Sequence, residues 1–420
     1  MISTERLAGF IDHFASAAMT CCRGVLPALL LAASLQMSLV AKAADEMPII
    51  AYMGVPDWRT TDADFLTFSE CGFNVSLYPY QSLDLLVKAC RIADQHGVKV
   101  IGQCPEMTKS PVAAANVLKR ENGFFGYFIK DEPSAPEIQQ LQKEISSLRR
   151  ADSVHVFYLN LFPYYNPDWV EPSMKVKTYP EYLREALKTS CQQLSFDFYP
   201  ITTAGVRPTW YHNLEMARRE SMVAGKPFWA FVLSVPHDVP FAKDTYYPTP
   251  TLASLRLQVY SNLAYGAQAI QYFTYWTLSS SRYKYHDAPV DSDGKKTPTY
   301  AVVQQMNREL KQVARLFFGA KVVAVHHLGT IPEGTARLEK IPENLLSLKI
   351  NSRKGALISQ IEKDGHLYLA IVNKDHERSI KVEVRAKNTT PRYLTKGLTE
   401  QLLKKRYIVE AGDLLLFRLN

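Results

Sequence analysis

The chain is poor in the residues that mark a metal, a redox centre or a disulfide framework. It has six cysteines in 420 residues. Cys21 and Cys22 precede an apolar N-terminal run, and Cys71, Cys90, Cys104 and Cys191 follow no zinc or redox spacing. All four later cysteines fall inside helix or strand patterns, as buried free thiols do, so no disulfide scaffold is expected even in an oxidising compartment. No His/Asp/Glu spacing suits a metal, and neither a metal nor another cofactor is expected. No Gly-x-Gly-x-x-Gly follows the first apolar run, which disfavours a doubly wound dinucleotide-binding sheet. The chain also lacks a basic cluster suited to phosphate, so no nucleic-acid partner is expected. There is no repeat at solenoid spacing, no low-complexity linker and, beyond the N-terminus, no apolar run long enough to span a membrane.

What is present starts with that N-terminal run. Arg6 and Arg23 precede an apolar stretch from Val25 to Val40, which ends in Ala41-Lys42-Ala43. This is the pattern of a secretory signal with a small-residue cleavage site. Residues 1–43 are therefore expected to be removed on export to the periplasm or beyond. Cys21 and Cys22 lie before the apolar run, so they form no lipid-attachment site. The formal charge of +8 is unevenly placed: Lys321 to Asn420 holds 18 Lys and Arg against 11 Asp and Glu, while residues 44–320 balance. A basic C-terminal face attracts an anionic polysaccharide or cell surface, or is simply solvated.

The 47% hydrophobic content allows a large core, and 23 Tyr, 19 Phe and 5 Trp can both fill it and stack on sugar rings. Eight strand-like runs alternate with amphipathic helical ones. They are Ile49–Val55, Asn74–Pro79, Val98–Gln103, Phe125–Lys130, Val154–Asn160, Leu194–Tyr199, Phe228–Ser234 and Ala269–Trp276. Gly72, Gly97, Gly225 and Gly266 close helices just before the next strand. Eight such units predict an α/β fold, a (β/α)₈ TIM barrel over residues 44–319. From residue 320 to 420 short alternating strands, separated by turns such as Lys363-Asp364-Gly365, predict a small all-β sandwich.

In such a barrel the residues after each strand share one mouth. The most telling stretch is Gly126-Tyr127-Phe128-Ile129-Lys130-Asp131-Glu132-Pro133, an apolar strand running into two adjacent carboxylates. Two like charges side by side raise each other's proton affinity, which suits acid/base chemistry on a sugar. Glu132 is the first candidate for a catalytic acid, with Asp131 and Asp197 beside it. Other strand ends deliver Asp57 and Trp58, Tyr78, Asn160, Tyr199, and Tyr272, Tyr275 and Trp276. Carboxylates and amides bind hydroxyls, and flat rings stack on pyranoses. Each residue alone also has a plain structural reading. Asp131 or Ser134 could cap a helix, Asp197 could anchor a turn, and Trp276 could be core. Their recurrence at successive strand ends points to a carbohydrate site.

Three stretches carry a resemblance: Gly126–Pro133, Phe196–Pro200, and Ala264–Phe273 with Tyr275-Trp276. They look like secreted bacterial glycoside hydrolases of the large retaining-barrel clan that includes the barrel-type β-galactosidases. The resemblance implies an acid/base Glu at the end of strand 4, which falls on Glu132, although the residue before it is Asp131 where the clan has Asn. It also implies a nucleophilic Glu ending strand 7, where this chain has Ser234-Val235-Pro236-His237. Three readings follow. In one, a substrate 2-acetamido group attacks, with Asp131 orienting it and one of Tyr199, Tyr272 or Tyr275 holding its oxygen, as in N-acetylhexosaminidases. In another, Asp197 or Asp238 serves as the second carboxylate. In the third, the barrel binds glycan without cleaving it. A polysaccharide lyase, with His237 and Arg59 as base and cation, fits poorly.

Overall fold

The computed structural model describes residues 46–238 and 245–420. The expected leader, residues 1–43, lies outside them. Eight parallel strands close into a barrel: β1 (Ile49–Tyr52), β2 (Val75–Pro79), β3 (Lys99–Gln103), β4 (Phe124–Asp131), β5 (Val156–Leu161), β6 (Leu194–Phe196), β7 (Phe228–Leu233) and β8 (Ile270–Phe273). Strand β1 pairs with both β2 and β8, which closes the ring. Around it run α1 (Asp62–Glu70), α2 (Leu83–Gln95), α3 (Ala135–Ala151), α4 (Tyr179–Leu187), α5 (Trp210–Ala224), α6 (Leu252–Ala264) and α7 (Pro298–Phe317), with shorter helices between.

Period-two alternation divides each strand between two cores. On β1, Ile50 and Tyr52 point inward with Leu77, Ile101, Phe128, Tyr158, Trp229 and Phe231, whereas Ile49 and Ala51 face the helices. The helices present matching stripes. On α2 the buried residues Leu86, Ala89, Cys90 and Ala93 recur at helical spacing, and the Ser82 hydroxyl caps the first turn by accepting the Leu85 N–H at 3.3 Å. Cys71, Cys90, Cys104 and Cys191 are buried and unpaired.

Beyond α7 the chain forms antiparallel sheets of six and three strands. The six-stranded sheet is apolar on both faces. Ile358, Leu369, Ile371 and Phe417 meet the smaller sheet in one core, while Leu357, Ile361, Ala370 and Leu416 join the core of the barrel. A cluster of charges pins this junction. Glu309 on α7 accepts from Arg256 of α6 at 2.5 Å, from Lys396 of the β domain at 2.6 Å and from the Tyr260 hydroxyl at 3.0 Å. Burial works against its ionisation, but the hydrogen bonds and charges of Arg256 and Lys396 outweigh it and hold the carboxyl down at about 2. Removing one partner of a buried ion pair strands the others, so Glu309→Gln is expected to cost about 3 kcal/mol at neutral pH. The native pKa is depressed, so this stability is present above the ordinary carboxylate range and lost as pH falls toward about 2. Chemical denaturation of both proteins should show the gap shrinking from about pH 4 downward.

Candidate active site

The site begins with the path of β4. A Cβ on Gly126 would collide with the carbonyl of Val156, so β4 and β5 approach here only because that residue is glycine. Two residues later the register slips between Phe128 and Lys130, a bulge that bends the strand and re-aims its end. Asp131 and Glu132 are thereby carried into the barrel mouth. Glu132 has a left-handed backbone (φ 46°) and donates its N–H to the Asn160 carbonyl at 2.9 Å. Left-handed backbone is unusual for a side chain of this size and gathers at functional positions.

Asn160, from β5, ties the carboxylates together. Its Nδ2 donates to Asp131 Oδ1 and to Asp197 Oδ1, each at 3.0 Å. Its Oδ1 accepts from the Ser195 hydroxyl at 3.0 Å, and Ser195 Oγ in turn accepts from Gln271 at 2.9 Å. This chain across the barrel fixes which end of the amide faces the acids. The Tyr52 hydroxyl binds Asp131, and the Tyr199 hydroxyl binds Asp197.

Enclosure and like charge then set the protonation states. Burial pushes Glu132 far above the usual carboxylate range; Asp197 and Asp131 push it further, and Arg282 opposes them. Burial and the charge of Asp131 likewise raise Asp197 against its bond from Asn160. Asp131 opens onto the cavity, yet the surrounding walls still raise it, opposed by Asn160 and Tyr52. Glu132 therefore carries a proton at neutral pH, as a general acid must.

These groups line a cavity of about 1000 Å³ together with Tyr52, Tyr165, Trp169, Tyr199, Arg207, Phe231, His237, Tyr247 and Phe273. A second cavity of about 690 Å³ adjoins it, lined by Trp58, Tyr78 and Trp276. The two share Met53, Leu278, Ser279, Ser280, Tyr283 and Tyr285, so they form one cleft. Trp58 is 64% exposed there and meets Tyr78 edge-on at 6.0 Å.

The structure thus gathers Glu132, Asp131, Asp197, Asn160 and Tyr199 in the first cavity, and Trp58, Tyr78 and Trp276 in the second. It does not bring the other candidates to either. Asp57 is buried and spends its carboxylate on the Gln81 N–H at 3.3 Å. On β8 the inward positions are Gln271 and Phe273, so Tyr272 points out against Phe73, and Tyr275 packs beside Phe68 and Phe73. Asp238 accepts the Lys284 N–H at 2.8 Å and lines neither cavity. At the end of β7, Ser234 is fully buried and donates to the Thr274 carbonyl at 2.8 Å, so no carboxylate stands there. Sequence reasoning passed over Tyr52, Phe231 and Phe273, whose inward parity strand alternation could have shown. Arg207 comes from a loop and Tyr247 from a two-residue strand paired with His237-Asp238, and no periodic signal marks either. Among the described residues no cluster of three or more His, Cys, Asp or Glu is placed to hold a metal.

A (β/α)₈ barrel with carboxylates clustered at its C-terminal mouth has the architecture of a glycoside hydrolase. Residues 161–313 match the family model described as beta-galactosidase, the glycoside hydrolase family 42 domain, and the chain is a glycosidase that acts on glycosidic bonds. No curated protein matches it in sequence. Among solved structures it is similar to the β-galactosidase of Bacillus circulans sp. alkalophilus, at 10% identity and TM-score 0.62 over 89% of this chain and 99% of that one. It also resembles the β-galactosidase of the psychrophilic Marinomonas ef1, at 10% identity and TM-score 0.52 over 89% and 100% of the two chains. A glycoside hydrolase family 5 protein from Bacteroides vulgatus gives 11% identity and TM-score 0.54 over 89% of each. At these identities the likeness is one of fold.

The raised Glu132 has a consequence for stability. In the unfolded chain this carboxyl ionises in the ordinary range, whereas the folded site holds its proton to much higher pH. Between those values folding requires proton uptake, so this group's contribution falls as pH rises. Glu132→Gln removes the dependence. Scanning calorimetry should show the variant melting above wild type at pH 8, with the difference fading toward pH 4.

Proposed function

We propose that this chain is an exported glycoside hydrolase of oligo- or polysaccharides, with Glu132 as its general acid/base. The observation that carries the reading is Glu132 itself, partly buried at the barrel mouth and kept protonated by burial and by Asp197 and Asp131. Glu132 gives its proton to the glycosidic oxygen as the bond to the anomeric carbon breaks, and afterwards takes one from the incoming water. Asp197, joined to Asp131 through Asn160, is a further carboxylate of the network and serves as the second one the reaction needs, attacking the anomeric carbon as nucleophile or activating the water as general base. Tyr199 and Phe273, stacked with ring centroids 5.4 Å apart, wall the sugar position. Export rests on the Arg6, Val25–Val40 and Ala41-Lys42-Ala43 pattern.

One observation favours a second reading within the same class. The end of β7 holds Ser234 where an opposing carboxylate would stand, while Asp131 is oriented by Asn160 and Tyr52. A substrate that supplies its own 2-acetamido oxygen needs an orienting Asp beside the acid, and Asp131 is so placed.

Hydrolysis of matched 2-hydroxy and 2-acetamido glycosides by wild type and Glu132→Gln tests both readings. The variant should lose about 10²–10⁴-fold in kcat. Cleavage confined to 2-acetamido sugars selects the substrate-assisted route, and cleavage of 2-hydroxy sugars selects Asp197. Wild-type turnover in the variant removes Glu132 as the acid, and glycan binding without any turnover makes the barrel a binding protein.

The second cavity accounts for the length of the substrate. Trp58→Ala should raise KM for oligosaccharides about tenfold, because a stacked ring is lost, and leave small aryl glycosides nearly unchanged.

A further inference from the structure

Arg207 stands apart from the other partly buried arginines. Arg149 caps the carbonyls of Ser153 and Ser190, Arg218 is paired with Glu215 at 2.9 Å, and Arg256 with Glu309. Arg207 has no such partner: among the described residues no carboxylate forms an ion pair with its guanidinium, and no carbonyl accepts from it. It is nevertheless held in place. It follows the short hairpin of Ile201–Thr202 with Gly205–Val206, and its own N–H donates to the Pro200 carbonyl at 2.8 Å. The guanidinium lies over the rings of Tyr165 at 5.0 Å and Tyr247 at 5.3 Å, and those tyrosines are hydrogen-bonded to each other.

Ring contacts use no N–H acceptor, so among the described residues the N–H donors of the guanidinium keep their hydrogen-bonding capacity. They form a fork matched to a planar carboxylate or a sulfate. Arg207 lines the same cavity as Glu132, Asp131 and Asp197. A neutral sugar gives such a fork only hydroxyls, and the acids and Asn160 already serve those. A guanidinium offers five N–H donors and no lone pair to accept a proton, so its chemistry is recognition of an acceptor.

We propose that Arg207 binds an anionic substituent of the sugar, a uronate carboxylate or a sulfate ester, so that the natural substrates are acidic glycans. The inference rests on the glycoside hydrolase reading and names its substrate class. Because Glu132 keeps its proton, an anionic sugar entering the cavity meets less like charge than three carboxylates would otherwise present. The basic surplus of the last hundred residues, 18 Lys and Arg against 11 Asp and Glu, draws in a polymer of the same sign.

The test uses two families of oligosaccharide probes: uronate-bearing ones with their carboxyl-reduced counterparts, and sulfated ones with their desulfated counterparts. Turnover is measured with wild type, Arg207→Gln and Arg207→Lys, and binding is measured calorimetrically on Glu132→Gln and on Glu132→Gln combined with Arg207→Gln. Wild type should prefer one acidic family over its neutral partner by tenfold or more in kcat/KM, and the family preferred identifies carboxylate or sulfate. Arg207→Gln should abolish that preference, costing the acidic probes at least tenfold more than the neutral ones. Arg207→Lys should retain part of it, since the charge survives and the fork does not. Unchanged thermal melting of Arg207→Gln keeps the comparison free of folding effects. Equal rates on acidic and neutral probes overturn the proposal, as does a preference that survives Arg207→Gln or an equal loss on both kinds of probe. Turnover that persists in Glu132→Gln with the charge preference intact refutes the acid assignment and leaves the anion site standing.

Discussion

The carboxylates of this site are held by one amide. Asn160 places a donor between Asp131 and Asp197, and without it the two acids would face each other across the mouth with nothing between them. The amide is oriented from behind by Ser195 and Gln271, so residues from β4, β5, β6 and β8 fix one group. A closed barrel makes this possible. Strands distant in the sequence converge on one axis, and their inward side chains touch across it. Glu132, whose N–H is tied to the Asn160 carbonyl, inherits that rigidity. Its high proton affinity is therefore a property of the frame as much as of the glutamate.

The C-terminal domain belongs to the same logic at a larger scale. Its six-stranded sheet has no solvated face over the stretch that meets the barrel, because one side belongs to its own core and the other to the barrel's. Apolar area supplies most of the attraction, and Glu309 with Arg256 and Lys396 fixes the register. No residue of this domain lines either cavity of the mouth. Its part, in the structure, is to clamp α6 and α7, the helices flanking β8.

Much of this was legible in the sequence. All eight strands fall where the alternation of apolar runs placed them, because buried parallel strands are continuous apolar blocks and glycines end the helices before them. Glu132, Asp131, Asp197 and Asn160 were legible because strand ends in a closed barrel share one mouth. What failed was orientation within the last strands. Tyr272 and Tyr275 read as platform residues by type, yet the pleat turns Tyr272 away from the mouth and inserts Phe273 instead. Asp57 sits at a strand end, but the backbone N–H of Gln81 claims it. Arg207 and Tyr247 were invisible because a loop residue and a two-residue strand carry no period, and only the folded chain shows what they face.

The two cavities share a wall, the segment from Leu278 to Tyr285 that follows β8. Tyr283 and Tyr285 look into both chambers, with their rings 5.5 Å apart. Whatever occupies the first cavity and whatever extends into the second thus meet the same few residues. A change in this segment alters both chambers at once, so the selectivities of the two cavities are inherited as a single trait.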